Sequence, residues 1–160
     1  LIEGDRFTAR FGHLFEHSLW VVERAAAKAP FADAAALHAA LMAVVAQASE
    51  ADQLALIRAH PELAAKSVPL TQASESEQKG AGLKALSEDE FARFARLNAA
   101  YGAKFGFPFI ICVRMHGKNG IFAAFEQRLG NDADVERAQA LREIGYITRL
   151  RLDDLLGVAP

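Results

Sequence analysis

The chain has 160 residues, 52% of them hydrophobic and 24% charged, with 18 Lys and Arg against 20 Asp and Glu for a formal net charge of −2. That length can close a hydrophobic core without disulfides or metal, and it predicts one domain over residues 1–160. The interspersed charges exclude the basic field that nucleic acid requires, no run reaches the roughly 18 apolar residues of a membrane span, and the single cysteine excludes an intrachain disulfide.

Helical periodicity dominates from the first residues, and the composition, rich in alanine and leucine, favours the same state. Two short helices are predicted over residues 7–15 and 19–29, the second closed by Pro30. An alanine-rich helix over 33–48 carries Leu37, Leu41, Val44 and Val45 on its apolar side. Ser49 and the acids after it cap a further short helix that Pro61 ends, and residues 64–73, which lack a period and contain Pro69, read as loop. Ser74-Glu75-Ser76-Glu77 and Ser87-Glu88-Asp89-Glu90 are capping-box patterns; the first opens a segment to residue 83, and the second a long helix stopped by Gly106. Phe107-Pro108 forces extended backbone, so residues 107–113 form the one β-like stretch. Helices over 121–129 and 132–156 complete the chain, the last closed by Gly157. The reading is all-α: a compact multi-helix domain with one short extended segment.

Three places carry candidate chemistry. His60 precedes a proline, which pushes it out of the α region and holds its ring at a corner; that suits a proton carrier, and equally a histidine that closes a helix end. Ser74 with Glu77 is explained by capping alone. Arg151 projects into the stripe formed by Ala140, Ile144, Ile147, Thr148, Leu152 and Leu155. A guanidinium keeps its charge, so Arg151 needs either a protein carboxylate or an anionic ligand, and periodicity does not choose between them. Arg142, Arg149 and Asp153 fall on the opposite, solvated side. Cys112 sits in the apolar run Phe109-Ile110-Ile111-Cys112-Val113 and reads as a buried filler, not a nucleophile. No histidine and carboxylate spacing argues for metal.

Taken together, several short motifs give the chain a resemblance. They are Phe15-Glu16-His17-Ser18 with Trp20, His60-Pro61-Glu62-Leu63, Ser74 with Glu77-Gln78 and Ala81-Gly82-Leu83, and Asn98 with Tyr101. They continue through Lys104-Phe105-Gly106-Phe107-Pro108-Phe109-Ile110, Arg128-Leu129 with Asn131, and Glu143 with Ile147 and Leu150-Arg151-Leu152. In this order and spacing the chain resembles the OHCU decarboxylase family, which acts on 2-oxo-4-hydroxy-4-carboxy-5-ureidoimidazoline between urate and (S)-allantoin. It departs from the family pattern at Leu19, where proline is frequent, and at Ala64-Ala65, where glycine usually follows the His-Pro motif.

The resemblance implies an all-helical carboxy-lyase that needs no cofactor, commonly a homodimer, acting on a small anionic ureide. Carried onto matching positions, it makes His60 the catalytic histidine, Glu77 its acid partner and Arg151 the anion-binding arginine. Pro61, Ser74, Gln78, Phe107, Pro108, Phe109 and Ile110 are expected to bind substrate, the last four with backbone groups as well as apolar walls. The ending Gly157-Val158-Ala159-Pro160 is not a Ser-Lys-Leu-type signal, which favours the cytoplasm. A helical interaction module or degenerate enzyme remains the contrasting reading, as does a decarboxylase of a related ureide. The module predicts an internally paired Arg151, a His60 turned to solvent or a carbonyl, and an exposed apolar patch with no pocket.

Overall fold

The computed structural model describes residues 1–65 and 69–158. The described residues contain eight α-helices: α1 (Phe7–Phe11), α2 (Leu19–Ala26), α3 (Ala34–Gln47), α4 (Glu50–Arg58), α5 (Gln72–Gly80), α6 (Glu88–Phe105), α7 (Lys118–Arg128) and α8 (Ala133–Leu156). A 3₁₀ turn at Val113–Met115 follows the extended stretch. Among the described residues there is no strand, only an isolated antiparallel bridge between Ile2 and Phe31, so the fold is all-α as the periodicity predicts. No single described helix is long and apolar enough to cross a membrane.

The long helix α8 is the spine. It packs against α3 and α4 on one side and touches α6, while α1 and α2 are layered outward from α3. Its buried residues Ala140, Ile144, Ile147, Thr148 and Leu152 follow the predicted stripe; Leu155 departs from it and is exposed. Gly145 lets α8 approach α3 closely, since a Cβ there would stand 3.3 Å from the Met42 methyl group. A second centre of packing is aromatic. Phe109 stacks on Phe125 at 3.8 Å and 8°, and Tyr101 stands edge-on to Phe107, Phe109 and Phe125.

Local signals hold where they are self-contained. Ser87 and Glu90 form the reciprocal capping box at the start of α6, and Gly106 ends that helix in the left-handed conformation at φ 74°. Asp33 and Ser49 cap α3 and α4. The structure corrects the start of α5: Thr71, not Ser74, is the N-cap, its hydroxyl accepting from the Ser74 N–H at 3.2 Å. Within the predicted loop, 66–68 lie outside the described residues, as do Ala159 and Pro160 of the C-terminal reading.

Both departures from the family pattern have a backbone context. Leu19 is the first residue of α2, where proline and other residues are equally accommodated, and its side chain is exposed. Ala64 has φ 57°, a left-handed conformation that glycine adopts without a Cβ penalty.

Candidate active site

Moving the start of α5 back to Thr71 changes what Ser74 can do. As a cap its hydroxyl would be spent on the helix end; inside the first turn it shares a face with Glu77 and Gln78, three and four residues on. All three line a cavity of about 40 Å³ together with His60, Pro61, Leu63, Phe109, Ile110 and Arg151. The wall continues through Ile111, Cys112, Val113, Arg114 and Ile147. Glu77, Val113, Arg114 and Arg151 also border an outer cleft of about 780 Å³, so the two share a wall.

His60 sits just past the end of α4. Its Nδ1 lies 2.9 Å from the Leu56 carbonyl oxygen, which can only accept, so Nδ1 carries the proton. Nε2 is then the basic nitrogen; it is buried and has no partner among the described residues. Burial lowers the imidazole pKa to about 4, against the opposing Leu56 hydrogen bond and the nearby Glu16 charge. The ring is therefore neutral near pH 7. The loop that carries it is fixed from two sides, by Asn98 Nδ2 donating to the Leu63 carbonyl at 2.8 Å and by the Ala64 N–H donating to Gln78 Oε1 at 3.2 Å.

Arg151 resolves its alternatives in favour of protein carboxylates. Nε and Nη2 fork onto Glu77 at 2.9 and 2.7 Å, and Nη2 also reaches Glu16 Oε1 at 2.8 Å. Nη1 donates to the Leu14 carbonyl at 3.1 Å. Burial opposes the charge on Arg151, but the hydrogen bond and charge of Glu77 outweigh it and raise the guanidinium pKa. Two carboxylates facing one guanidinium leave the cluster one formal negative charge in excess, so Arg151 is not a vacant anion hole. It is a positioned donor with one Nη1 hydrogen uncommitted to these contacts.

Glu16 is the residue that local sequence reasoning misses. It is 2% exposed and accepts from Ser74 Oγ, from Thr71 Oγ1 at 2.9 Å and from Arg151. Burial pushes its carboxyl up, yet the Ser74 hydrogen bond and the Arg151 charge prevail and hold it below the ordinary carboxylate value. The turn after it supplies the aim: His17 is left-handed at φ 46°, and the Ser18 hydroxyl donates back to the Glu16 carbonyl at 2.8 Å. Because Ser74 gives its only proton to Glu16, it offers only lone pairs to the cavity.

The polar groups on the cavity wall thus have assigned senses. His60 Nε2, Ser74 Oγ and the Glu77 carboxylate accept, whereas Gln78, whose amide oxygen is taken by Ala64, presents its NH₂ as a donor. Phe109 and Ile110 line the cavity as expected, but Phe107 and Pro108 do not. Phe107 is buried instead against Tyr101 and Phe105. Cys112 is buried, as a filler would be, and also borders the cavity; burial and then Glu143 raise its thiol pKa. His13, His17 and His116 are exposed, and His38 pairs with Thr148 Oγ1 at 3.1 Å. Among the described residues no group of three His, Cys, Asp or Glu side chains is placed to hold a metal ion.

Two expectations of the interaction-module reading are met: Arg151 is internally paired and His60 bonds a carbonyl. The third is not. A polar-lined cavity is present, where the module predicts none.

Comparison with known proteins agrees with the motif order. The sequence model of a family described as OHCU decarboxylase matches residues 2–153. The chain is 40% identical over 151 residues to 2-oxo-4-hydroxy-4-carboxy-5-ureidoimidazoline decarboxylase of Haloferax volcanii, covering 94% of this chain and 89% of that protein. It is also 40% identical over 155 residues to a uric acid degradation bifunctional protein of Bacillus subtilis, where the match covers 97% of this chain but 31% of the longer relative. Among solved structures, one of (S)-allantoin synthase superposes with TM-score 0.74 at 28% identity, covering 95% of this chain and 50% of that one. One of OHCU decarboxylase in the presence of (S)-allantoin gives TM-score 0.74 at 25% identity, covering 88% and 93%. With the match running through His60, Glu77 and Arg151 and on to residue 153, the chain belongs to the OHCU decarboxylase family.

Proposed function

We propose that the chain decarboxylates 2-oxo-4-hydroxy-4-carboxy-5-ureidoimidazoline to (S)-allantoin in urate degradation, without a cofactor, with His60 as the proton carrier. The observation that carries this reading is the buried Nε2 of a neutral His60, without a partner among the described residues, on a cavity whose other polar groups have fixed donor or acceptor sense. The relatives named for this reaction and for uric acid degradation supply the substrate class.

The reaction replaces a carboxylate by a proton. His60 Nε2 takes the hydroxyl proton as the bond to the carboxyl carbon breaks; carbon dioxide leaves, and the electron pair passes into the ring as an enol-like species. The heterocycle is its own electron sink, so the protein's work is orientation and proton transfer. Proton delivery from one face then sets the S configuration. Glu77 and Ser74 accept from ureido or ring N–H groups, Gln78 and the remaining Arg151 hydrogen donate to oxygens, and Pro61, Phe109 and Ile110 form apolar walls. The 40 Å³ cavity takes the reacting end, while the remainder of the substrate occupies the outer cleft. Phe107 and Pro108 support this wall from behind. The working form is proposed to be a single-domain homodimer in the cytoplasm; light scattering on purified protein tests the dimer.

The test generates the substrate in place from urate with the two preceding enzymes and follows optical activity. Rapid formation of (S)-allantoin is expected; racemic product at the spontaneous rate would overturn the reading.

A further inference from the structure

Over residues 109–112 the cavity wall is extended backbone, held by two buried charged side chains. On one side, Arg128 Nη1 donates to the Ile110 carbonyl at 2.6 Å, and its guanidinium lies 4.4 Å from the centre of the Phe109 ring. Arg128 is in turn oriented by Glu136, which accepts from Arg128 Nε at 2.8 Å, from Tyr101 Oη at 2.6 Å and from Asn131 Nδ2 at 2.9 Å. Two residues further on, Glu143 Oε1 accepts from the Cys112 N–H at 3.1 Å, while Gln139 Nε2 holds the other carboxylate oxygen at 3.2 Å.

In extended backbone the N–H and C=O of residues i and i+2 point one way and those of i+1 the other. Since Ile110 C=O and Cys112 N–H are both turned to the charged side, the peptide groups of Ile111 face the opposite side. Ile111 is 5% exposed and borders the cavity, and neither its N–H nor its C=O has a partner among the described residues. Buried peptide groups are nearly always paired, so an unpaired donor and acceptor beside a cavity need a partner that enters it. The arrangement is costly for stability alone. A buried ion pair is commonly replaceable by apolar residues without loss, and Arg128 Nη2 is itself without a hydrogen-bond partner among the described residues.

We infer that Arg128 and Glu143 are positioning residues, a pair of buried charges that clamp the peptide groups of Ile110 and Cys112 so that the Ile111 N–H and C=O are presented to the substrate. The inference rests on the proposed function for the identity of the substrate, but the clamp itself is read from the geometry. Neither residue touches the cavity; both act through the backbone they hold.

Glu143→Leu removes the acceptor for Cys112, whereas Glu143→Gln retains an oxygen in its place. Arg128→Lys keeps a charge for Glu136 but not the fork that also reaches Ile110. We expect Glu143→Leu and Arg128→Lys to lose about tenfold or more in kcat/KM, largely through KM, and Glu143→Gln to stay within about threefold of wild type, the scale on which small misplacements act. In ¹⁵N-labelled protein the Ile111 amide resonance should shift on addition of (S)-allantoin in wild type and Glu143→Gln, and not in Glu143→Leu. Gln139→Ala, which loosens the same carboxylate from a half-buried position, serves if Glu143→Leu does not fold, with an expected loss of about threefold from one weakened hydrogen bond. Folded variants that keep wild-type kcat/KM, an Ile111 amide indifferent to (S)-allantoin, or a Glu143→Gln protein as impaired as Glu143→Leu would overturn the clamp. If wild-type protein shows no turnover, the proposed function fails, while the Ile111 response still decides the clamp.

Discussion

His60 gives its Nδ1 proton to the carbonyl of Leu56, one turn back on α4, and this single 2.9 Å contact decides the chemistry of the other ring nitrogen. The proline that follows halts the helix, the Leu56 carbonyl is one of the acceptors a helix end leaves free, and the imidazole satisfies it. The helix-closing and catalytic readings of His60-Pro61 are therefore not rivals. Closing the helix is what fixes the tautomer.

Replacing His60 by Gln keeps a side chain able to donate to Leu56 and removes the base. Turnover should fall by about 10²–10⁴-fold, the usual contribution of a positioned acid or base, with helical content unchanged by circular dichroism. A variant that keeps most of its rate would remove His60 from the proton-transfer role. Stability should respond to pH as well. The folded pKa of about 4 lies below the ordinary 6.5, so the unfolded chain binds the extra proton between them; the contribution is complete above pH 6.5 and is lost as pH falls toward 4. About 3 kcal/mol is at stake over that window. Denaturant titrations of wild type and His60→Gln from pH 7 to pH 4 should show a shallower decline in the variant. His38, whose pKa is lowered chiefly by burial, retains part of the slope.

Glu16→Gln tests the hidden carboxylate. Arg151 keeps its fork onto Glu77, so the protein should fold, at a cost of about 1–3 kcal/mol for a weakened charged hydrogen bond in a buried place. The functional effect should be larger than this implies. With an amide in place of the carboxylate, Ser74 is no longer bound to give its proton to residue 16, and its acceptor sense toward the cavity is lost. A fall in kcat/KM of about tenfold is expected, one misplaced polar contact being worth roughly 1.4 kcal/mol. Activity equal to wild type would reduce Glu16 to a packing residue.

What could be read ahead of the structure divides by the range of the interaction. The Ser87–Glu90 box and Gly106 are written within a few residues of the helix they bound, and both are legible. Thr71 as the cap of α5 is not, because its hydroxyl also donates to Glu16, 55 residues away, and no local pattern contains that partner. Arg151 was legible as an anomaly on α8, but its two carboxylates lie 74 and 135 residues back in the chain. Phe107 and Phe109 belong to one motif and share one composition, yet only Phe109 borders the cavity. Family resemblance carries a segment over whole; the packing of each ring, Phe107 against Tyr101 and Phe105, then decides which residues reach the cavity.

Ala64 offers a stability prediction from a single dihedral. At φ 57° an alanine Cβ crowds the following carbonyl, at roughly 1 kcal/mol, whereas glycine tolerates the conformation but loses more entropy on folding. The two effects oppose, and the strain is the larger where the backbone is held in place, as it is here by the Ala64 N–H on Gln78. Ala64→Gly should therefore be neutral to stabilising by up to about 1 kcal/mol in thermal unfolding, with activity retained. A clear destabilisation would show that the loop has another conformation.

Arg114 is placed to receive the charge that Arg151 does not. Arg114 borders both the inner cavity and the outer cleft, and its guanidinium is paired bidentately with the exposed Asp154 at 2.7 and 3.3 Å. The Glu16, Glu77 and Arg151 cluster is net negative, so an anionic substrate approaching it needs a cation at the mouth. Arg114 can supply one by exchanging its Asp154 contact for a substrate carboxylate of the same geometry. Arg114→Gln should raise KM by about tenfold with kcat changed little, the signature of binding lost equally from ground and transition states. Asp154→Asn, which frees the guanidinium, should lower KM or leave it unchanged. Added salt should raise the wild-type KM more steeply than that of Arg114→Gln, because the long-range attraction it screens is absent from the variant. A variant with unchanged KM and unchanged salt dependence would assign Arg114 to the Asp154 pair alone.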